Sequence, residues 1–137
     1  MGYLADTNIL SELRKKTRCD ANVRNWFNQT DGNLIYISVL TIGEIRQGIE
    51  KIRRRDEVAA LSLENWLYQI EINACGRILP VTKAIANRWG QINSGDPLPI
   101  IDSLLAATAI EHNLTLVTRN VRDVERSGVK LLNPFIL

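Results

Sequence analysis

Asp6, Glu44 and Asp102 each stand just beyond an apolar stretch: Leu4-Ala5-Asp6-Thr7-Asn8, Ser38-Val39-Leu40-Thr41-Ile42-Gly43-Glu44 and Ile100-Ile101-Asp102. They lie far apart in the chain, so only a fold can gather them. Gathered carboxylates without a counter-charge raise one another's pKa values. A hard divalent cation such as Mg²⁺ or Mn²⁺ prefers oxygen ligands and removes that conflict. Such an ion polarises a phosphodiester and lowers the pKa of a water, which becomes the nucleophile. Three convergent acids with no histidine among them therefore point to metal-assisted phosphodiester hydrolysis. Singly, an acid in the first turn of a helix also has a capping or dipole explanation. Asp6 and Asp102 resist it best, because an apolar setting makes an unpartnered carboxylate costly.

The elements needed to gather these acids are visible in the hydrophobic pattern. Tyr3-Leu4-Ala5 predicts a short buried strand, followed by a helix capped by Thr7 or Asn8. Val23, Trp26 and Phe27 recur at helical spacing before the breaker Asp31-Gly32-Asn33. Leu34 to Ser38 is a continuous β-rich run, as for a strand covered on both faces. Ile42, Ile45, Ile49 and Ile52 predict a helix from Thr41, with Glu44 in its first turn. A second long helix is expected from Asp56 to Cys75, with Gly76 as its stop. Ile78 to Val81 suggests a strand, Ile85 to Ile92 a helix ended by Ser94-Gly95-Asp96-Pro97, and Ile101 to His112 a buried helix with Asp102 in its first turn. Thr115 to Thr118 is a β-branched strand. A helical turn from Val121 to Arg126, Gly128 and a strand near Lys130 to Leu132 complete the chain. This alternation predicts a single α/β domain over residues 1–137, a three-layer α/β/α sandwich around a mostly parallel sheet. Ligand sites in such sheets form beyond the carboxyl ends of the strands, where Asp6, Glu44, Asp102 and Thr118-Arg119-Asn120 all fall.

Composition narrows the alternatives. With 137 residues, 45% hydrophobic and 23% charged, the chain is ordinary for a globular domain, and its formal net charge of +2 argues only weakly for nucleic acid. The basic residues cluster instead: Arg14-Lys15-Lys16 with Arg18, and Arg53-Arg54-Arg55. Each cluster suits a helix end or a phosphate contact. Two cysteines without a CxxC pair give no zinc or redox motif. No signal peptide is evident and no apolar run approaches the roughly 20 residues of a membrane span, so a cytoplasmic location is expected. His112 is the only histidine and sits at a helix end, which excludes a histidine pair. Gly43 to Gly48 has glycine spacing but lacks the Lys and Ser/Thr of a phosphate-binding loop; close helix packing explains those glycines instead. Trp26, Trp66 and Trp89 fall on apolar helix faces, as core residues do. Two rivals remain. One is Mg²⁺-dependent phosphoryl transfer onto Asp6, although Thr7 and Asn8 stand where a second acid usually would. The other is a catalytically weak binding module whose acids grip a basic partner.

The four segments around Asp6, Glu44, Asp102 and Thr118-Arg119-Asn120, in that order, together with Asn133-Pro134-Phe135, resemble PIN-domain ribonucleases over essentially the whole chain. Spacing and length are similar to the VapC/FitB branch, toxins of bacterial type II toxin–antitoxin pairs. The resemblance implies an Mg²⁺- or Mn²⁺-dependent endoribonuclease with Asp6, Glu44 and Asp102 as metal-binding acids. It also implies a homodimer and a VapB-like antitoxin whose C-terminal segment occupies the active-site groove. Many relatives carry a fourth acid where this chain has Asn120. Asn120 would supply a neutral oxygen, and Asp123, three residues on, is the alternative metal-binding acid; one firmly held ion and a weaker second are expected. Thr7, Asn8 and Thr118 are assigned to orienting the acids or substrate. Arg46, near Glu44, is assigned with the Arg53–Arg55 run to RNA entry, and the helical pair Thr41–Ile52 and Asp56–Cys75 to the antitoxin groove.

Overall fold

Tyr3–Ala5 (β1) is the central strand of a five-stranded parallel sheet in a computed structural model that describes residues 1–137. Ile35–Ser38 (β2) and Ile78–Leu79 (β3) extend the sheet on one side, and Thr115–Val117 (β4) and Leu131–Leu132 (β5) on the other, in the order β3-β2-β1-β4-β5. Tyr3 pairs with Ile35 on one flank and with Thr115 on the other. The strand order reverses direction at β1, so a crevice opens beyond its carboxyl end. Asp6 is the next residue.

Alternation along each strand explains the layers. Leu4 and Leu116 face Leu105, Ala106 and Ala109 of helix α6 (Ile100–Glu111). Val117, the next residue after Leu116, turns to the opposite face with Ile9 of α1 (Thr7–Arg14) and Val23 and Trp26 of α2 (Ala21–Gln29). Ala5 and Ile37 share that face with Ala74, just past α4 (Glu57–Asn73). Five of the six buried residues of α6 are small (Ser103, Ala106, Ala107, Thr108 and Ala109), which lets the helix lie against the sheet. Helix α3 (Val39–Arg53) leaves β2 directly and forms a hairpin with α4 through Ile45, Ile49, Ala60 and Leu67. Helix α5 (Lys83–Ile92) returns the chain to the α6 side, where Trp89 Nε1 donates to Ser103 Oγ at 2.9 Å.

The expected three-layer sandwich is therefore present, with boundaries moved by capping. Asp6 itself caps α1, not Thr7 or Asn8: its carboxylate accepts the Thr7 N–H at 2.6 Å. Ser38 caps α3, so that helix begins at Val39 and Glu44 lies in its second turn rather than its first. Asp56 caps α4 by accepting the Ala59 N–H. Gly76, at φ +84°, ends the long helix in the left-handed region as expected. Gly43 and Gly48 are inside α3, and a Cβ at either would meet nothing within 4 Å, so close helix packing does not explain them.

One core position is imperfect. Thr41 is fully buried, and its Oγ1 has no hydrogen-bond partner. Replacing it by the isosteric Val removes a buried unsatisfied hydroxyl, so Thr41→Val is expected to stabilise the fold by about 1 kcal/mol. Urea unfolding checks this; a loss of stability would show that the hydroxyl has a partner in solution.

Candidate active site

Asp6 is 5% exposed, and both of its carboxylate oxygens accept hydrogen bonds. Oδ1 takes the Thr7 N–H, while Oδ2 accepts Asn8 Nδ2 at 3.1 Å and Thr118 Oγ1 at 2.7 Å. Thr118 reaches it because β4 pairs beside β1, bringing together residues 112 positions apart. The same hydroxyl accepts the Asn120 N–H at 3.0 Å, so the loop after β4 is tied to the carboxylate at the end of β1. Thr7 Oγ1 donates to Glu44 Oε1 at 2.6 Å and fixes the second acid. The third, Asp102, enters from the first turn of α6.

These residues line one cleft of about 460 Å³: Asp6, Thr7, Asn8, Glu44, Asp102 and Asn120 all border it. Asp123, at the end of a 3₁₀ turn from Val121, is not part of the lining, yet its charge is felt at Asp102. The Asp102 carboxyl is pushed up from an ordinary 3.8 to about 6, first by burial and then by the negative charges of Asp6, Asp123 and Glu44. No three of these side chains are drawn together closely enough to hold a metal ion as they stand. Their donor set is nevertheless all oxygen, and the charge crowding at Asp102 is what a hard cation relieves. The residues fit such an ion in the chemistry of their donors.

Arg46 is not at this site. Two residues along an α-helix turn the chain by about 200°, so Arg46 faces away from Glu44. It pairs with Glu50 at 3.3 Å and Glu64 at 3.0 Å. Arg53 joins the same network through Glu50, Glu57 and Glu64. These arginines brace the α3–α4 hairpin rather than an RNA entrance. Cations do border the cleft, but they are Lys15 and Arg119. Ser11, Glu12 and Phe135 complete the part that sequence reasoning missed. The helical spacing of Asn8, Ser11, Glu12 and Lys15 on one face of α1 was the available signal.

A second, apolar groove of about 530 Å³ lies across α1, α2, β2 and α4, bordered by Leu10, Leu13, Phe27, Ile37, Trp66 and Ile70. Trp66 faces it with the Arg14 guanidinium 5.6 Å from its ring, whereas Trp26 is buried edge-on to Tyr3. No helix is long and apolar enough to cross a membrane.

The model of the PIN domain matches residues 3–126. The chain belongs to the PIN-domain family. Toxin FitB of Neisseria gonorrhoeae is 30% identical over 96% of this chain and 97% of its own length. A tRNA(fMet)-specific endonuclease VapC of Shigella flexneri is 30% identical over 92% of each chain. Among solved structures, FitAcB from Neisseria gonorrhoeae superposes with a TM-score of 0.90 at 30% identity, covering 98% of this chain and 99% of that one. FitAB bound to a DNA fragment gives 0.89 at 28% identity, covering 98% and 96%. In this PIN domain the four motifs read from the sequence occupy the carboxyl edge of the sheet, around the cleft.

The Asp102 shift sets a pH dependence. Between about pH 4 and 6 the folded chain holds a proton on Asp102 that an unfolded aspartate has already lost. The folded state then binds more protons, and stability falls as pH rises through that window. Asp102→Asn cannot ionise. In EDTA at pH 7.5 it is expected to melt about 3 °C above the wild type, roughly 1 kcal/mol once solvent screening is allowed for. The difference should shrink as pH falls through that window and vanish only below about pH 3.8. Thermal melts across pH provide the check, and an equal or lower variant midpoint at pH 7.5 would contradict it.

Proposed function

We propose that this PIN domain is the toxin of a toxin–antitoxin pair, a metal-dependent endoribonuclease that acts in the cytoplasm. The observation that carries the reading is the convergence of Asp6, Glu44, Asp102 and Asn120 on one cleft, with Asp123 electrostatically coupled to it. Supporting it, relatives of near-complete coverage are named as a VapC endonuclease and a FitB toxin, and similar structures are toxin–antitoxin complexes. Cys19 and Cys75 are free thiols, in keeping with a reducing compartment.

Asp6, Glu44 and Asp102 would hold Mg²⁺ or Mn²⁺, with Asn120 offering a neutral oxygen and Asp123 a more distant charge. Once bound, the ion supplies positive charge for the phosphodiester and acidifies water at neutral pH. The protein's own contribution is orientation. Thr118 and Asn8 hold the Asp6 carboxylate in one rotamer, and Thr7 holds Glu44. The single donor on Oδ1 and the two on Oδ2 leave Asp6 Oδ1 the freer oxygen toward a cation.

The apolar groove is the better antitoxin seat. It runs over α1, α2, β2 and α4, where helix α3 contributes nothing to the lining, in contrast to the α3–α4 pair expected from sequence. An amphipathic antitoxin segment laid there buries apolar side chains against Leu10, Leu13, Phe27 and Ile70. Its following residues can continue past α1 into the acidic cleft, since α1 borders both.

Asp6→Asn tests the reading. Mg²⁺-dependent cleavage of single-stranded RNA should fall roughly 100-fold or more, with the circular dichroism spectrum unchanged. Products should carry 5′-phosphate and 3′-hydroxyl ends. Full cleavage by the variant, or a 2′,3′-cyclic phosphate, would remove the metal-site assignment. Absence of cleavage by metal-loaded wild type would favour a binding module.

A further inference from the structure

Two cations stand on the rim of the acidic cleft, each held by an element of its own. Lys15 Nζ lies 2.9 Å from Glu12 Oε1. Glu12 is only 8% exposed, and its other oxygen accepts the Asp20 N–H at 2.8 Å. Its carboxyl is held below the usual range first by that N–H, then by Lys15, with Arg119 adding its charge. A buried carboxylate thus fixes one cation at the end of α1 and feels the charge of the other.

Arg119 is fixed differently. Its guanidinium carbon lies 4.6 Å from the centroid of Phe135, an arrangement in which the ring face attracts the cation. Phe135 belongs to the 3₁₀ turn Pro134–Ile136. Its N–H donates to Asn133 Oδ1 at 3.0 Å, and its carbonyl accepts Asn22 Nδ2 at 2.8 Å. The C-terminal turn is therefore anchored on α2 and presents a ring beneath Arg119. Arg46 and Arg53 are each shared among two or three glutamates away from the cleft, Lys15 has the single partner Glu12, and Arg119 makes no ion pair, leaving its planar fork of donors free.

A polyanion approaching Asp6, Glu44 and Asp102 meets repulsion that an ion among those acids cancels only locally. The phosphates on either side of the scissile one need cations at the rim, and a guanidinium fork suits a phosphate. We propose that Arg119 and Lys15 form a clamp for the RNA phosphates flanking the scissile bond, with Phe135 and Glu12 as their positioning residues. This rests on the nuclease reading of the cleft for its substrate, but not on the metal chemistry.

The test measures binding of a fluorescein-labelled single-stranded RNA 12-mer by anisotropy against NaCl, in EDTA and in Ca²⁺ buffer, and cleavage in Mn²⁺. Arg119→Ala should weaken binding about tenfold and make the salt slope shallower by roughly 0.7, the value for one phosphate contact on a single strand. Lys15→Ala should do the same, and the double variant should lose both. In cleavage, KM should rise about tenfold while kcat changes less than about threefold. Phe135→Leu should raise KM and Phe135→Tyr restore it, with melting temperatures showing that all variants are folded. Unchanged KM and salt slope in Arg119→Ala and Lys15→Ala would overturn the clamp, assigning the two cations to a protein partner instead. Loss of kcat alone, or a wild type that binds no RNA, would overturn it equally. A wild type that binds with the Arg119-dependent slope but does not cleave would sustain the clamp and remove the nuclease reading.

Discussion

The hydrogen bond from Thr118 to Asp6 joins the ends of two neighbouring strands at the point where the sheet changes direction. A carboxylate this deeply buried is tolerated only when its oxygens are engaged, and β1 alone cannot engage them. Pairing with β4 brings in the hydroxyl, and α1 brings in the Thr7 N–H and the Asn8 amide. The fold and the site thus share a requirement: wherever β4 and β1 pair correctly, Asp6 is satisfied and aimed into the cleft. From the same threonine the tether passes on to Asn120, and from Thr7 it passes to Glu44. Three of the site's corners are linked through two threonines, Thr118 by its hydroxyl and Thr7 by its N–H and its hydroxyl. Asp102 is the corner without such a link, and it is the one whose carboxyl is driven upward by burial and by its neighbours' charge.

Charge is separated across the molecule by function. Along the α3–α4 hairpin, arginines and glutamates neutralise one another in a surface network, which stabilises locally and leaves little field for a ligand. Around the cleft the acids are uncompensated except at the rim, where Lys15 and Arg119 stand. The small formal net charge of the chain conceals this division. An acidic floor with a basic rim is the charge pattern that the proposed reading requires, in which a phosphodiester would approach a cation and be held by its flanking phosphates. The adjoining apolar groove on α1, α2 and α4 shares α1 with the cleft, so one helix would connect the proposed seat of a protein partner to the site that the partner would occlude.

Much of this was legible in the residues. Short β-rich runs, helical apolar spacing and the position of each acid after an apolar stretch were enough for the layers, for the sheet edge and for Asp6, Glu44 and Asp102. The errors were of two kinds. Helix starts moved because Asp6 and Ser38 act as caps, and capping by the residue that ends a strand is a local choice that periodicity does not register. Arg46 was assigned to the cleft from its nearness to Glu44 in sequence, but on a helix two residues' separation means opposite faces. Conversely, Lys15 and Arg119 were within view, in a basic run and in the Thr-Arg-Asn segment; helical spacing with Asn8, Ser11 and Glu12 marked the lysine, but nothing marked Arg119 over Arg53.

By itself, the sequence determined the alternation of strands and helices, because burial on both faces of a parallel sheet forces continuous apolar runs and helix packing forces its own period. It also determined which acids follow those runs. Only the tertiary structure decided strand order, and hence that Thr118 rather than any nearer hydroxyl meets Asp6. It decided too which arginines were already neutralised and which one was laid over the C-terminal Phe135. The physical reason is the same throughout: periodicity is a property of one segment, whereas hydrogen bonds, ion pairs and stacking between distant segments exist only once the sheet has set their separation.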